Sequence, residues 1–262
     1  LQNLSNVHPH APHYNTTKTY TYKTQPPPSS LSILATAHYL PAYTGANSPL
    51  RPIALCFHSG SFIIGHKDAI PKAEVDFLAW DHGFIVVSID YSLCPQVSLR
   101  EGPIKDTEDI YRWCREVLPR LLAREEDRVE VDRKRMEVLG YSAGGLLAIS
   151  TAFLPNPPSM IIDFYGSKDL HNPWWTLPNT NKPVPGFPSE FINQVFSIST
   201  IPTSFPTLSP TSPNFIMTPR LAYLLGRIKD RLSIKKLMKD ESDYETVDSA
   251  ARWNTPSGVQ NF

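Results

Sequence analysis

The chain has 262 residues, enough to bury a substantial core in one large domain or in one domain with a lid. Lys plus Arg and Asp plus Glu both total 25, and this balance gives no support to a nucleic-acid or acidic partner. No apolar run reaches the roughly 18–20 residues of a membrane span, and the N-terminus LQNLSNVHPHAPHY lacks the pattern of a signal peptide, so a cytoplasmic location is expected.

The first residue is Leu rather than Met, so a missing true start is expected. HPHAPH (His8, His10, His13) reads as a proline-containing disordered tail rather than a metal site, and no metal is expected. KTYTYKT and LSILATAHYL are strand-like, with PPPSS as the turn between them. PIALCFH is a continuous apolar run, as in a strand buried on both faces, and leads into the loop SGSFIIGHKD. KAEVDFLAWDH reads as a helix that Gly83 ends, and FIVVSID as another buried strand.

IKDTEDIYRWCREVLPRLLA places Ile104, Ile110, Trp113, Val117 and Leu121 at helical spacing, with Pro119 expected to interrupt the helix. MEVL is a short strand, AGGLLAISTAFL a helix and MIIDFY a strand. Buried strands alternating with helices predict an α/β fold with a mainly parallel sheet covered on both faces. After about Asp169 the chain becomes rich in Pro, Ser, Thr and Asn, with Trp174, Trp175, Phe187 and Phe191 interspersed. RLAYLLGRIKDRLSIKKLMK follows as an amphipathic helix whose basic residues are expected to form a solvated face. Cys56, Cys94 and Cys114 are few, odd in number and without C-x-x-C spacing, so buried reduced thiols of an intracellular protein are expected.

EVLGYSAGGLLAIS carries the chemistry. It places Ser142 between Gly140 and Gly144, after an apolar run and before a helical one, which is the G-x-S-x-G nucleophile-elbow pattern. HSGSF directly follows the first buried strand, DYSLCP the next and GYSAGG the third. In order and context these resemble the HGGG, D-Y-R-L-A-P and G-D-S-A-G-G stretches of hormone-sensitive-lipase-like α/β-hydrolases, over about residues 15–170. The resemblance implies a serine carboxylic-ester hydrolase with Ser142 as nucleophile, an acyl-enzyme, and no metal or organic cofactor. By position it assigns the oxyanion hole to the backbone N–H groups of Gly60, Ser61 and Ala143, and gives His58 a role in holding the loop. Ser59 and Ser61 replace family glycines and carry strain if those positions require positive φ; Ser92 replaces an arginine, and Tyr141 an acidic residue. Asp90 reads as a strand-end or loop-fixing residue.

The family order is serine, then an acid, then histidine. Downstream of Ser142 the only histidine is His171, directly after MIIDFY, where a loop or lid histidine is the default. His66, near the oxyanion loop, is the other weak candidate base. The expected division is a hydrolase core over residues 1–169 and a lid-like segment over 170–262, its aromatic residues lining an apolar pocket. The closing strands, with the triad acid and base, are expected to be absent through truncation, exposing an apolar sheet edge open to pairing with another chain. The expected ligand is a small ester. The alternative is a catalytically incomplete relative that binds a small apolar molecule or needs a partner chain.

Overall fold

A computed structural model describes residues 16–41, 50–126, 128–168, 172–177, 186–229 and Leu237. Among them the sheet has six strands: β1 (Thr16–Thr24), β2 (Ser32–Tyr39), β3 (Arg51–Phe57), β4 (Ile85–Ile89), β5 (Val131–Tyr141) and β6 (Met160–Phe164), in the order β1-β2-β4-β3-β5-β6. β1 pairs with β2, and β2 with β4, antiparallel; β4-β3-β5-β6 run parallel. The mainly parallel α/β arrangement predicted from the sequence is therefore present.

All residues of β3 and β4 are buried, and the period-two geometry of a strand shows why they read as unbroken apolar runs. Ile53, Leu55 and Phe57 point into the larger core, with Ile85, Val87 and Ile89 beside them. Ala54, Cys56 and Val86 point into a second core on the opposite face. Helices α2 (Lys105–Glu116), α3 (Leu118–Leu122) and α4 (Ala143–Ser150) supply Ile110, Leu118 and Leu146 to the first core, whereas α1 (Lys72–Asp76) supplies Val75 to the second.

α1 runs into a π-helical turn (Phe77–Asp81), which ends as expected at Gly83, where φ is +71° and the Phe84 N–H reaches the Leu78 carbonyl at 3.0 Å. The interruption expected at Pro119 is also found, between α2 and α3. It has a consequence the periodicity did not carry: the break at Val117 resets the helical phase. Val117 is exposed and Leu118 takes the buried place. β5 is longer than MEVL, extending back through the polar VDRKR.

After β6 come α5 (Ser189–Asn193) and α6 (Pro219–Lys229). Their segment is tied to the sheet through the loops after β3 and β4. Gly65 and Phe205 exchange backbone hydrogen bonds at 2.9 and 2.7 Å, and the Leu93 N–H reaches the Pro202 carbonyl at 2.8 Å. The expectation of a solvated basic face on α6 fails at its second residue: Arg220 is buried. Among the described residues β6 ends the sheet and leaves Met160 and Phe164 exposed, no helix is long and apolar enough to cross a membrane, and all three cysteines are buried and unbonded. His8, His10 and His13 lie outside the described residues.

Candidate active site

β5 ends at Tyr141 and α4 begins at Ala143, leaving Ser142 alone to make the turn. Its backbone has φ +53° and ψ −113°, a conformation costing about 1–3 kcal/mol for a residue with a side chain. Two hydrogen bonds hold it: the Ser142 N–H donates to the Phe164 carbonyl at 2.8 Å, and the Ser142 carbonyl accepts from Gly145 at 2.9 Å. The glycines are steric necessities. A β-carbon on Gly140 would lie 1.9 Å from the Gly144 carbonyl oxygen, and one on Gly144 would lie 2.3 Å from that of Phe57. Gly145 is confined in the same way against Asp163, at 2.0 Å. Ser142 itself is half-buried, and the N-terminus of α4 brings its positive end to it.

The Gly144–Phe57 approach sets the elbow against the start of the HSGSF loop. There Gly60 has φ +119°, and Ser61 and Phe62 have φ +56° and +63°. The strain anticipated for serine thus falls on Ser61, and on Phe62 as well, but not on Ser59. The Gly60 carbonyl accepts from the N–H groups of Ile63 and Ile64, both at 3.0 Å, closing a tight turn. Among the described residues no acceptor takes the N–H of Gly60, Ser61 or Ala143.

His58 stacks on Tyr91 with ring centres 4.2 Å apart, and its Nδ1 lies 2.6 Å from the Ser59 carbonyl oxygen. The Tyr91 hydroxyl donates to the His58 carbonyl at 3.1 Å. Burial pushes the His58 pKa down to about 4, so the ring is neutral at pH 7 and Nδ1 carries the proton toward Ser59. Asp90 accepts the Lys67 N–H at 2.8 Å, while its own carbonyl accepts from the Tyr22 hydroxyl at 3.0 Å. Burial raises the Asp90 pKa to about 6. Both residues fasten loops, as their positions implied.

Two further residues were not singled out in the sequence. Asp106, buried on α2, accepts the Ser92 N–H at 2.7 Å and pairs with Lys23 at 2.7 Å, anchoring the DYSLCP loop. Arg220 on α6 donates to the carbonyls of Ile63 and Cys94. A carboxylate in the first turn of a helix, after a strand and loop, was a faint signal for Asp106; Arg220 carried none.

The candidate bases fare differently. His171 lies outside the described residues. His66 has its Nδ1 3.7 Å from Asp68, and among the described residues no imidazole hydrogen-bonds Ser142. Trp175 packs on the main core and Trp174 meets it edge-on at 4.7 Å. Two cavities of about 480 and 510 Å³ are lined by neither Ser142 nor the HSGSF loop; His38, Lys72 and Trp80 border the first, Arg51 and Arg135 the second. Among the described residues no group of three or more His, Cys, Asp or Glu side chains is placed to hold a metal.

Residues 54–181, which include the loop, the elbow and β6, match the family model described as alpha/beta hydrolase fold. The chain has the α/β-hydrolase fold. Curated relatives of this chain include non-reducing polyketide synthases from Preussia isomera, 39% identical over 145 residues, and Aspergillus calidoustus, 40% identical over 146. The matches cover 53% and 54% of this chain but 6% of each relative, so the chain spans only a small part of their length. Among solved structures, a protein of unknown function from Staphylococcus aureus has a TM-score of 0.60 at 16% identity, covering 94% of this chain and 76% of that one. A hyperthermophilic esterase from Pyrobaculum calidifontis has 0.50 at 18%, covering 93% and 61%. At these identities the likeness is one of fold.

Proposed function

We propose that this chain acts on small acyl esters or thioesters through Ser142, which attacks the acyl carbonyl and becomes acylated. The strained elbow conformation of Ser142, packed so closely that only glycine fits at positions 140 and 144, carries the reading. The N–H groups of Gly60, Ser61 and Ala143 hold the developing oxyanion, each worth about 2.7–4 kcal/mol in such a site. The segment over 170–262 serves as a lid, a role supported by its hydrogen bonds to Gly65 and Leu93. A thioester substrate is favoured by the polyketide synthase relatives, since a synthase must release the acyl chain it builds. Ester and thioester carbonyls pass through the same tetrahedral oxyanion. Hydrolysis of a p-nitrophenyl ester and of an acyl-N-acetylcysteamine thioester, compared between wild type and Ser142→Ala, tests this. Turnover of neither overturns hydrolysis by this chain.

A second reading has its own observation, the lack of an imidazole on Ser142 among the described residues. In it the chain binds the acyl group, and turnover awaits a histidine from a partner chain. Covalent acylation without hydrolysis would favour this second reading.

A further inference from the structure

Arg220 is 2% exposed, yet among the described residues none of its hydrogen-bond partners carries a charge. Nη1 donates to the Ile63 carbonyl at 2.8 Å and to the Cys94 carbonyl at 2.6 Å, and Nη2 donates to Gln96 Oε1. The guanidinium sits over the Phe205 ring, 5.6 Å from its centre. Burial lowers its pKa to about 10, which leaves it protonated at neutral pH. Burying a charge costs several kcal/mol, and a packed apolar side chain of similar volume often serves stability as well or better. A purely space-filling role therefore does not account for an arginine here.

Its partners indicate what does. Ile63 closes the turn on Gly60, and the Cys94 N–H donates to the Phe62 carbonyl at 2.8 Å. Arg220 thus joins two loops already hydrogen-bonded to each other, the one after β3 and the one after β4. Between Gly60 and the anchored Ile63 lie Ser61 and Phe62, both in the left-handed region. Such strain persists only where the surroundings over-determine it.

We propose that Arg220 is a positioning residue: from α6 it fixes the strained turn carrying Gly60 and Ser61, so that oxyanion-loop geometry depends on the seating of α6. The catalytic meaning of that turn rests on the function proposed above; the anchoring does not.

Hydrogen exchange on the full chain tests it. In Arg220→Gln, the amides of Ile63, Ile64 and Cys94 should exchange about tenfold to a hundredfold faster, the loss expected for a charged hydrogen bond. The amides of β3 should stay within about twofold. Arg220→Lys should recover part of the loop protection and, with it, part of the rate at which a fluorophosphonate labels Ser142. Unchanged loop protection in a folded Arg220→Gln chain overturns the proposal. If that variant does not fold, wild type still decides: loop amides opening together with those of α6 support the anchor, and α6 opening while the loop stays protected contradicts it. Loss of loop protection in a chain whose wild type never labels would sustain the anchor while removing the acyl-transfer reading.

Discussion

Gly144 stands so close to Phe57 that a β-carbon on it would come within 2.3 Å of the Phe57 carbonyl oxygen. This one approach locks the turn at Ser142 against the end of β3, where the HSGSF loop begins. Neither side can retreat cheaply, because both are backbone. Gly144→Ala is expected to destabilise the chain by about 1–3 kcal/mol, the usual range for overpacking, or to prevent folding. Gly226→Ala is the control: a β-carbon there on α6 meets nothing within 4 Å among the described residues, and a gain of about 0.5–1 kcal/mol is expected from helix propensity. Urea unfolding of the two variants against wild type checks both signs.

Ser61 tests whether the oxyanion donor is backbone or side chain. Ser61→Gly removes the hydroxyl and the strain at φ +56° but keeps the N–H. Labelling of Ser142 should stay within about twofold of wild type, and stability within about 1 kcal/mol, since relief of strain and glycine's unfolded-state entropy oppose each other. Ser61→Ala removes the hydroxyl but keeps the N–H and the β-carbon, and should likewise leave labelling within about twofold of wild type. A large loss in Ser61→Gly would assign the role to the hydroxyl.

His58 and Asp90 respond to acid in opposite directions. Burial lowers the His58 pKa to about 4, so its contribution is present above the ordinary pKa near 6.5 and lost as pH falls toward 4. Burial raises the Asp90 pKa to about 6, so its contribution is present below the ordinary value of 3.8 and lost as pH rises through 6. Between about pH 4 and 6.5 the two largely offset each other. Asp90→Asn should therefore lose on the order of 2 kcal/mol more than wild type between pH 7 and 4.5. Denaturation curves at the two pH values measure this; equal losses would contradict it.

Asp106 is buried between the Ser92 N–H and Lys23. Asp106→Ala leaves that buried N–H without its acceptor and takes one of two carboxylates from Lys23, which keeps Asp109 at 2.7 Å. A loss of about 2–4 kcal/mol is expected. Asp106→Asn, which keeps an acceptor, should lose less. Thermal unfolding of the pair separates hydrogen bond from charge.

The residues legible in the sequence are those where a local backbone demand leaves a local mark. Gly140, Ser142 and Gly144 occupy one tight turn, so their spacing alone announces it. The buried runs of β3 and β4 declare a sheet covered on both faces. Phase was less secure: Val117 fitted the apolar stripe, and only the break before α3 turned it outward. VDRKR showed no alternation, so the start of β5 was hidden. Arg220 was invisible because its partners are carbonyls 157 and 126 residues away, and a carbonyl is common to every residue. An arginine opening an amphipathic helix reads as solvated unless the fold brings those carbonyls to it.

Ser142 is proposed to stand as a nucleophile before a formed oxyanion hole. Incubation with a fluorophosphonate, followed by peptide mapping, tests it most directly. The expected result is one phosphonyl group on Ser142 of the native chain, absent after urea unfolding and absent in Ser142→Ala. No modification of the native chain, or modification spread over other serines at the same rate, would contradict it.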